Sequence, residues 1–285
     1  MKVTHALLVA ANLAGTALSL PQLQPLGPAA GSNLTSRIQA RSLNRQTQPL
    51  TAAAGGHEGA ESGFRTANTA AIVYSNNWAG AVRESPPPGG PYTAVSATFT
   101  VPQPTAVPGN TGMQAGSAWV GIDGDTYSSA ILQTGVDFYV DNGKIHNDAW
   151  FEWFPDYAYD FNLAVNTGDV IVAIVEAFSA SEGVAIIENK STGQRATQTV
   201  KAPRAEATLA GQNAEWIVED FQSGDTVVAL ADFGSVVFTG CEARAKDGSV
   251  VGLDGSTIIE LKQKDKVLTE VAVQGDKTLS VKCKL

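Results

Sequence analysis

Histidine, cysteine and methionine are scarce in this chain: three, two and two among 285 residues. His5 and His57 fall in N-terminal stretches unlike the remainder, which leaves His146 alone for the rest. One histidine cannot supply an H-E-x-x-H zinc site, and no G-x-S-x-G elbow accompanies it to suggest a Ser-His-Asp triad. His146 stands beside Asp141-Asn142-Gly143-Lys144, a hairpin signal, and reads as a surface residue. There is no G-x-G-x-x-G, no P-loop and, after the first twenty residues, no apolar run of membrane-spanning length. Paired Asp-Thr/Ser-Gly loops of a pepsin-like protease are also missing: "DGDT" at 123–126 and "DGST" at 254–257 have the wrong order. The surviving chemistry is that of carboxylates and amides, with no metal or cofactor called for.

The N-terminus has its own organisation. Lys2 precedes an apolar run from Ala6 to Leu18, and Ala17 and Ser19 are small residues at signal-peptidase spacing before Pro21. Residues 1–19 are expected to be a secretory signal, so the product is exported and extracellular. Residues 20–70 are rich in Ala, Gly, Pro, Gln and Ser and carry Arg37, Arg41, Arg45 and Arg65 against Glu58 and Glu61. They read as a basic propeptide with a linker, ending within 59–73. Beyond Arg65, 14 Lys and Arg face 26 Asp and Glu, a net −12. That balance argues against nucleic acid or an anionic membrane as partner, and it suits work in acid. Cys241 and Cys283 in an oxidising compartment most simply form one disulfide. Asn189 opens an N-x-S sequon in an expected turn, a glycosylation candidate.

From residue 71 to 285 the pattern is all-β. Short runs such as "YTAVSATFTV", "AILQTGVDFYV" and "DVIVAIVEAF" are punctuated by Gly, Asn, Asp and Pro, with a weak helical pattern only near 201–212. About a dozen strands in one stretch point to a single β-sandwich, with monomer as the default state.

Strand alternation sorts the polar residues. In "AEWIVEDF", Glu215, Ile217, Glu219 and Phe221 share one face; Trp216, Val218 and Asp220 share the other. Asp148, Trp150, Glu152 and Phe154 share a face in "DAWFEWF", and Gln133 shares one with Ile131, Gly135 and Asp137. Any one of these is ordinary on a half-exposed sheet. Tryptophans among acids and a glutamine on several strands suit a binding groove.

The blocks "SNNWAGAV", "VSATFTVP", "SAWVGIDGDTYSSAILQTGVDF", "DAWFEWFPD" and "AEWIVEDF" closely resemble the secreted glutamic peptidases of fungi, the eqolisins, in order and spacing. The resemblance implies a lectin-like sandwich of two antiparallel seven-stranded sheets with a groove on one concave face. It implies a pepstatin-insensitive acid endopeptidase that needs no cofactor and takes protein or peptide substrates. Its catalytic pair falls on Gln133 and Glu219, and its groove residues on Trp78, Trp119, Asp123 and Glu152. The precursor layout implies that the propeptide is itself a partner of the domain.

On this reading Glu219 is a general base for water, kept ionised by hydrogen-bond donors that include Gln133. The Gln133 amide is an uncharged donor to the oxyanion. Two other readings use the same sandwich: a lectin-like carbohydrate-binding module, and a glycosidase working through two of Glu152, Glu215 and Glu219.

Overall fold

The computed structural model describes residues 45–53, 72–224 and 226–285. The expected signal, and all but the last two positions of the expected 59–73 boundary, lie outside them. Two large sheets face each other. One has ten strands, with the main order Lys266–Val267, Thr257–Gln263, Trp78–Arg83, Ala214–Glu219, Gln114–Ile122, Ile131–Asp141, Lys144–Phe154, Tyr159–Ala164. The other has eight, led by Gln194–Lys201, Glu182–Asn189, Val170–Ser179, Tyr92–Thr100, Ser235–Ala245, Thr278–Cys283 and Thr269–Gln274. The sandwich is as expected, but the sheets exceed seven strands because short segments extend them. Two of these pair in parallel: Ile72–Ser75 on Thr257–Gln263, and Ala229–Leu230 on Gln114–Ile122.

The core lies between the sheets and takes one side of each alternation. Leu132, Val136, Trp216 and Val218 come from the ten-stranded sheet; Val95, Phe99, Val175, Ile187 and Phe238 come from the other. A Trp216 indole N–H also reaches across to the Ser96 carbonyl, 2.9 Å away. The Asn142-Gly143 hairpin forms where expected, both residues having positive φ (49° and 75°), the backbone a tight two-residue turn demands.

Three expectations are corrected here. Residues 202–213 form turns and irregular chain rather than helix, because the N–H groups of 210–213 go to a side-chain carboxylate. The Cys241–Cys283 disulfide does not form: both thiols are free and buried. Cys241 N–H meets the Lys277 carbonyl while Cys283 N–H meets the Gly234 carbonyl, so the cysteines sit at opposite ends of one strand pair. At about 3.3 Å per residue that separation is roughly 20 Å, far beyond the span of a disulfide. Asn189 is fully buried. Its Oδ1 accepts the Ser191 and Thr192 N–H groups, and its Nδ2 donates to Asp169 Oδ2 at 2.7 Å. Its nitrogen is committed to the fold and closed to a glycan.

Candidate active site

The ten-stranded sheet turns its second face away from the core, and there the polar set predicted from alternation assembles. Register fixes the rows. Gln133 lies opposite Glu152 on one neighbouring strand and Gly121 on the other, and Gly121 lies opposite Glu215. The next row along this face places Trp150, Gly135, Trp119 and Ile217 side by side. The row beyond it holds Asp148, Asp137, Ser117, Glu219 and Trp78.

Glycine makes room for the tryptophan. A Cβ at Gly135 would fall 2.5 Å from the Trp119 Cβ, and one at Gly121 would fall 2.9 Å from Trp119 Cζ3. The indole therefore lies along the sheet over Gly121, and its Nε1 donates to Glu219 Oε2 at 3.0 Å. Trp78 packs edge-on against it, ring centroids 5.0 Å apart. Trp78, Trp119, Trp150, Ile131 and Ile217 form the apolar floor.

The groove is occupied by the chain's own residues 45–53, an extended stretch pinned along its length. Gln48 N–H donates to Glu219 Oε1 at 3.2 Å, and Thr47 N–H to Glu152 Oε2 at 3.2 Å. The Gln48 carbonyl accepts from Trp78 Nε1 and Asn77 Nδ2, and Leu50 packs on the apolar floor. Arg45 enters an acidic, aromatic socket. Its Nε and Nη2 donate to Asp137 at 3.2 and 3.1 Å, and its Nη1 approaches Glu152 Oε2 at 3.5 Å. The guanidinium lies between the Trp150 and Phe221 rings, 4.4 and 4.3 Å from their centroids. Asp137 is braced in turn by Ser117 Oγ and the Tyr139 hydroxyl.

Burial dominates the electrostatics. It pushes Glu219 and Glu152 up to about 8, opposed by the Arg45 charge and by the N–H groups of the docked segment. Glu215 is raised well above the ordinary carboxylate range, by burial first and then by Asp123 and Asp125. The expected donors to Glu219 are thus corrected: Trp119 and the Gln48 backbone hold its oxygens, while the Gln133 amide has no hydrogen-bond partner on either atom.

The structure brings Gln133, Glu219, Trp78, Trp119 and Glu152 to one groove face. Asp123 is different. With positive φ (66°) it turns inward, and its two oxygens accept four backbone N–H groups, from Ala210, Gly211, Gln212 and Asn213, at 2.6–3.2 Å. A carboxylate so saturated clamps the 210–213 loop. Asp137, Trp150, Phe221 and Asn77 were not among the expected site residues. Sharing a face with Gln133, Glu152 and Glu219 was the available signal for the first three.

Comparison with known proteins agrees with this geometry. Residues 76–283 match the model of the peptidase A4 family. Aspergillopepsin-2 of Aspergillus niger is 49% identical over 220 residues, 71% of this chain and 76% of the relative. Scytalidopepsin B of Scytalidium lignicola is 37% identical over 220 residues, 74% and 80% of the two chains. Among solved structures, scytalido-glutamic peptidase with a transition-state analogue inhibitor aligns at TM-score 0.65 and 36% identity, covering 73% of this chain and 98% of its own. Aspergilloglutamic peptidase from Aspergillus niger aligns at 0.57 and 51%, covering 60% and 99%. An all-β sandwich with a glutamate, a glutamine and tryptophans on one grooved face, in a chain this similar to those enzymes, belongs to the peptidase A4 family of glutamic endopeptidases.

Proposed function

We propose that the chain is the precursor of a secreted acid endopeptidase, with Glu219 as general base and acid, Gln133 as oxyanion donor, and residues 20–70 as a propeptide. The observation that carries this is the peptide already in the groove: its Gln48 N–H sits 3.2 Å from Glu219 Oε1. A carboxylate so placed against a peptide nitrogen is where a proton must be delivered to a leaving amine. A groove that holds extended polypeptide by backbone bonds and an apolar floor favours protein substrates over the lectin and glycosidase readings.

With the segment gone, water enters between Glu219 and Gln133. Ionised Glu219 takes a proton from it, the water oxygen attacks the peptide carbonyl, and the Gln133 Nε2 hydrogens meet the charge that develops on the carbonyl oxygen. Glu219 then returns the proton to the nitrogen as the C–N bond breaks. Gln133 stays neutral at any working pH, so its donor function does not titrate. Glu219 must be ionised. Uncovering removes the burial that raises its pKa in the occupied groove, so release of the segment both clears the floor and readies the base. Arg45 secures the occupied state through Asp137. The dyad is not a pair of aspartates, so pepstatin is expected to leave activity intact.

The test is digestion of a denatured protein at about pH 3, with and without pepstatin, beside a polysaccharide control and the Gln133→Ala and Glu219→Gln variants. Pepstatin-resistant proteolysis lost in both variants is the expected result. Substantial turnover by Glu219→Gln overturns the assignment.

A further inference from the structure

Two side chains of the groove floor, Gln133 and Glu215, are fully buried with no hydrogen-bond partner on either polar atom. They flank the same residue, Gly121, in one row of the sheet. A Cβ on Gly121 would lie 3.3 Å from Glu215 Oε2 and 3.4 Å from Gln133 Cβ. Glu215 Oε2 therefore lies no more than about 6.7 Å from Gln133 Cβ, beside the Trp119 ring over Gly121, a gap that rotation of the Gln133 side chain can close although no bond joins the two groups here. Glu215 has no part in the chemistry assigned to Glu219.

A primary amide has two faces of opposite use. Turned one way, Gln133 presents hydrogens to a developing oxyanion; turned the other way, it presents a lone pair that repels it. Catalysis therefore needs a group that fixes the turn, and a donor aimed at Oε1 would do so. Resting on the function proposed above, we propose that Glu215 is a positioning residue for Gln133: its carboxylic acid O–H donates to Gln133 Oε1 and so directs the Nε2 hydrogens toward the substrate carbonyl. Glu152, on the opposite side of Gln133, has its Oε2 engaged by Thr47 and its Oε1 unpartnered. It is placed to accept the second Nε2 hydrogen and favours the same turn.

The proton that this requires is kept by the surroundings. Asp123 and Asp125 lie nearest in effect and disfavour a charge on Glu215. Glu84 acts on Asp125 in the same sense. The Tyr92 hydroxyl, which also senses Glu215, is engaged with Arg83. Arg45 is directed at Asp137 and Glu152 rather than at Glu215.

Two substitutions separate positioning from packing. In the acid-activated full-length protein, Glu215→Gln retains a donor and is expected to keep kcat within about threefold, whereas Glu215→Met removes it and lowers kcat by roughly 10–100-fold with little change in KM. In the wild type, kcat should fall at the alkaline end as Glu215 loses its proton, and Glu215→Gln should flatten that limb. A readout without turnover uses the Glu219→Gln background, in which the segment stays in place. There the Gln133 side-chain amide protons, followed by 15N-edited NMR, should exchange faster with solvent in Glu215→Met and not in Glu215→Gln. Wild-type kcat in Glu215→Met, equal losses in both variants that track thermal stability, or Gln133 signals unchanged by Glu215→Met would each overturn the proposal. A Gln133→Ala enzyme with full activity would instead sink the functional reading beneath it.

Discussion

The two sheets share one core and differ in what they do with their other face. On the eight-stranded sheet, Ser235–Ala245 alternates in the ordinary way over much of its length, buried toward the core and open to solvent on the far side. On the ten-stranded sheet, Gln114–Ile122 and Ala214–Glu219 are buried at every position and Ile131–Asp141 at all but its last. The second face of those strands carries acids, an amide and tryptophans under a segment of the same chain. Burying unmatched polar groups is unfavourable for folding, and Gln133 and Glu215 are two such groups on the sheet that would do chemistry. One sheet holds the molecule together, and the other holds reactive groups out of water.

This contrast can be broken in order of expected effect. Glu219→Gln should lower kcat by at least ~10³-fold, on the order of 4 kcal/mol of transition-state stabilisation, while thermal unfolding stays near wild type; a peptide-hydrolysis assay beside calorimetry checks both. Ile187→Ala, in the core of the other sheet, should do the reverse, costing about 2–5 kcal/mol of stability with kcat unchanged.

Arg45→Ala comes next. It leaves Asp137 and Glu152 facing an empty socket, and a synthetic peptide of residues 20–70 carrying the change should inhibit the activated enzyme about 30-fold less well near neutral pH than the unchanged peptide. Equal inhibition constants would show that Arg45 is not what secures the segment.

The remaining effect is on pH and stability. Burial raises Glu152 and Glu219 to about 8 and Asp220 to about 7, above their ordinary values. For acids with raised folded-state pKa values, stability is full below the ordinary pKa and is lost as pH climbs through the raised one. Melting temperature should therefore fall between about pH 4.5 and pH 8, by roughly 10 °C. Measuring this on Gln133→Ala avoids self-digestion, and a flat profile would mean that these acids are already ionised in the fold.

Much of this was legible beforehand, and the reason is periodicity. Alternation placed Glu215, Ile217 and Glu219 on one face and Trp216 and Val218 on the other, and the structure keeps that division. Asn142-Gly143 specified its own turn. What could not be read was contact between distant parts of the chain. Nothing local in Asp123 announces that its oxygens will collect four amides some 90 residues away, nor in Asn189 that its sequon will be folded inward. The site's least legible part is Arg45, which reaches Asp137 across 92 positions. Composition marked it only as one of several arginines in a basic stretch.

The two cysteines, lodged at opposite ends of one strand pair, give the molecule an unusual independence. With no covalent tie between Cys241 and Cys283, its resistance to unfolding rests on noncovalent contacts. Thiol reductants and mild oxidants should leave both its melting curve and its catalysis where they were.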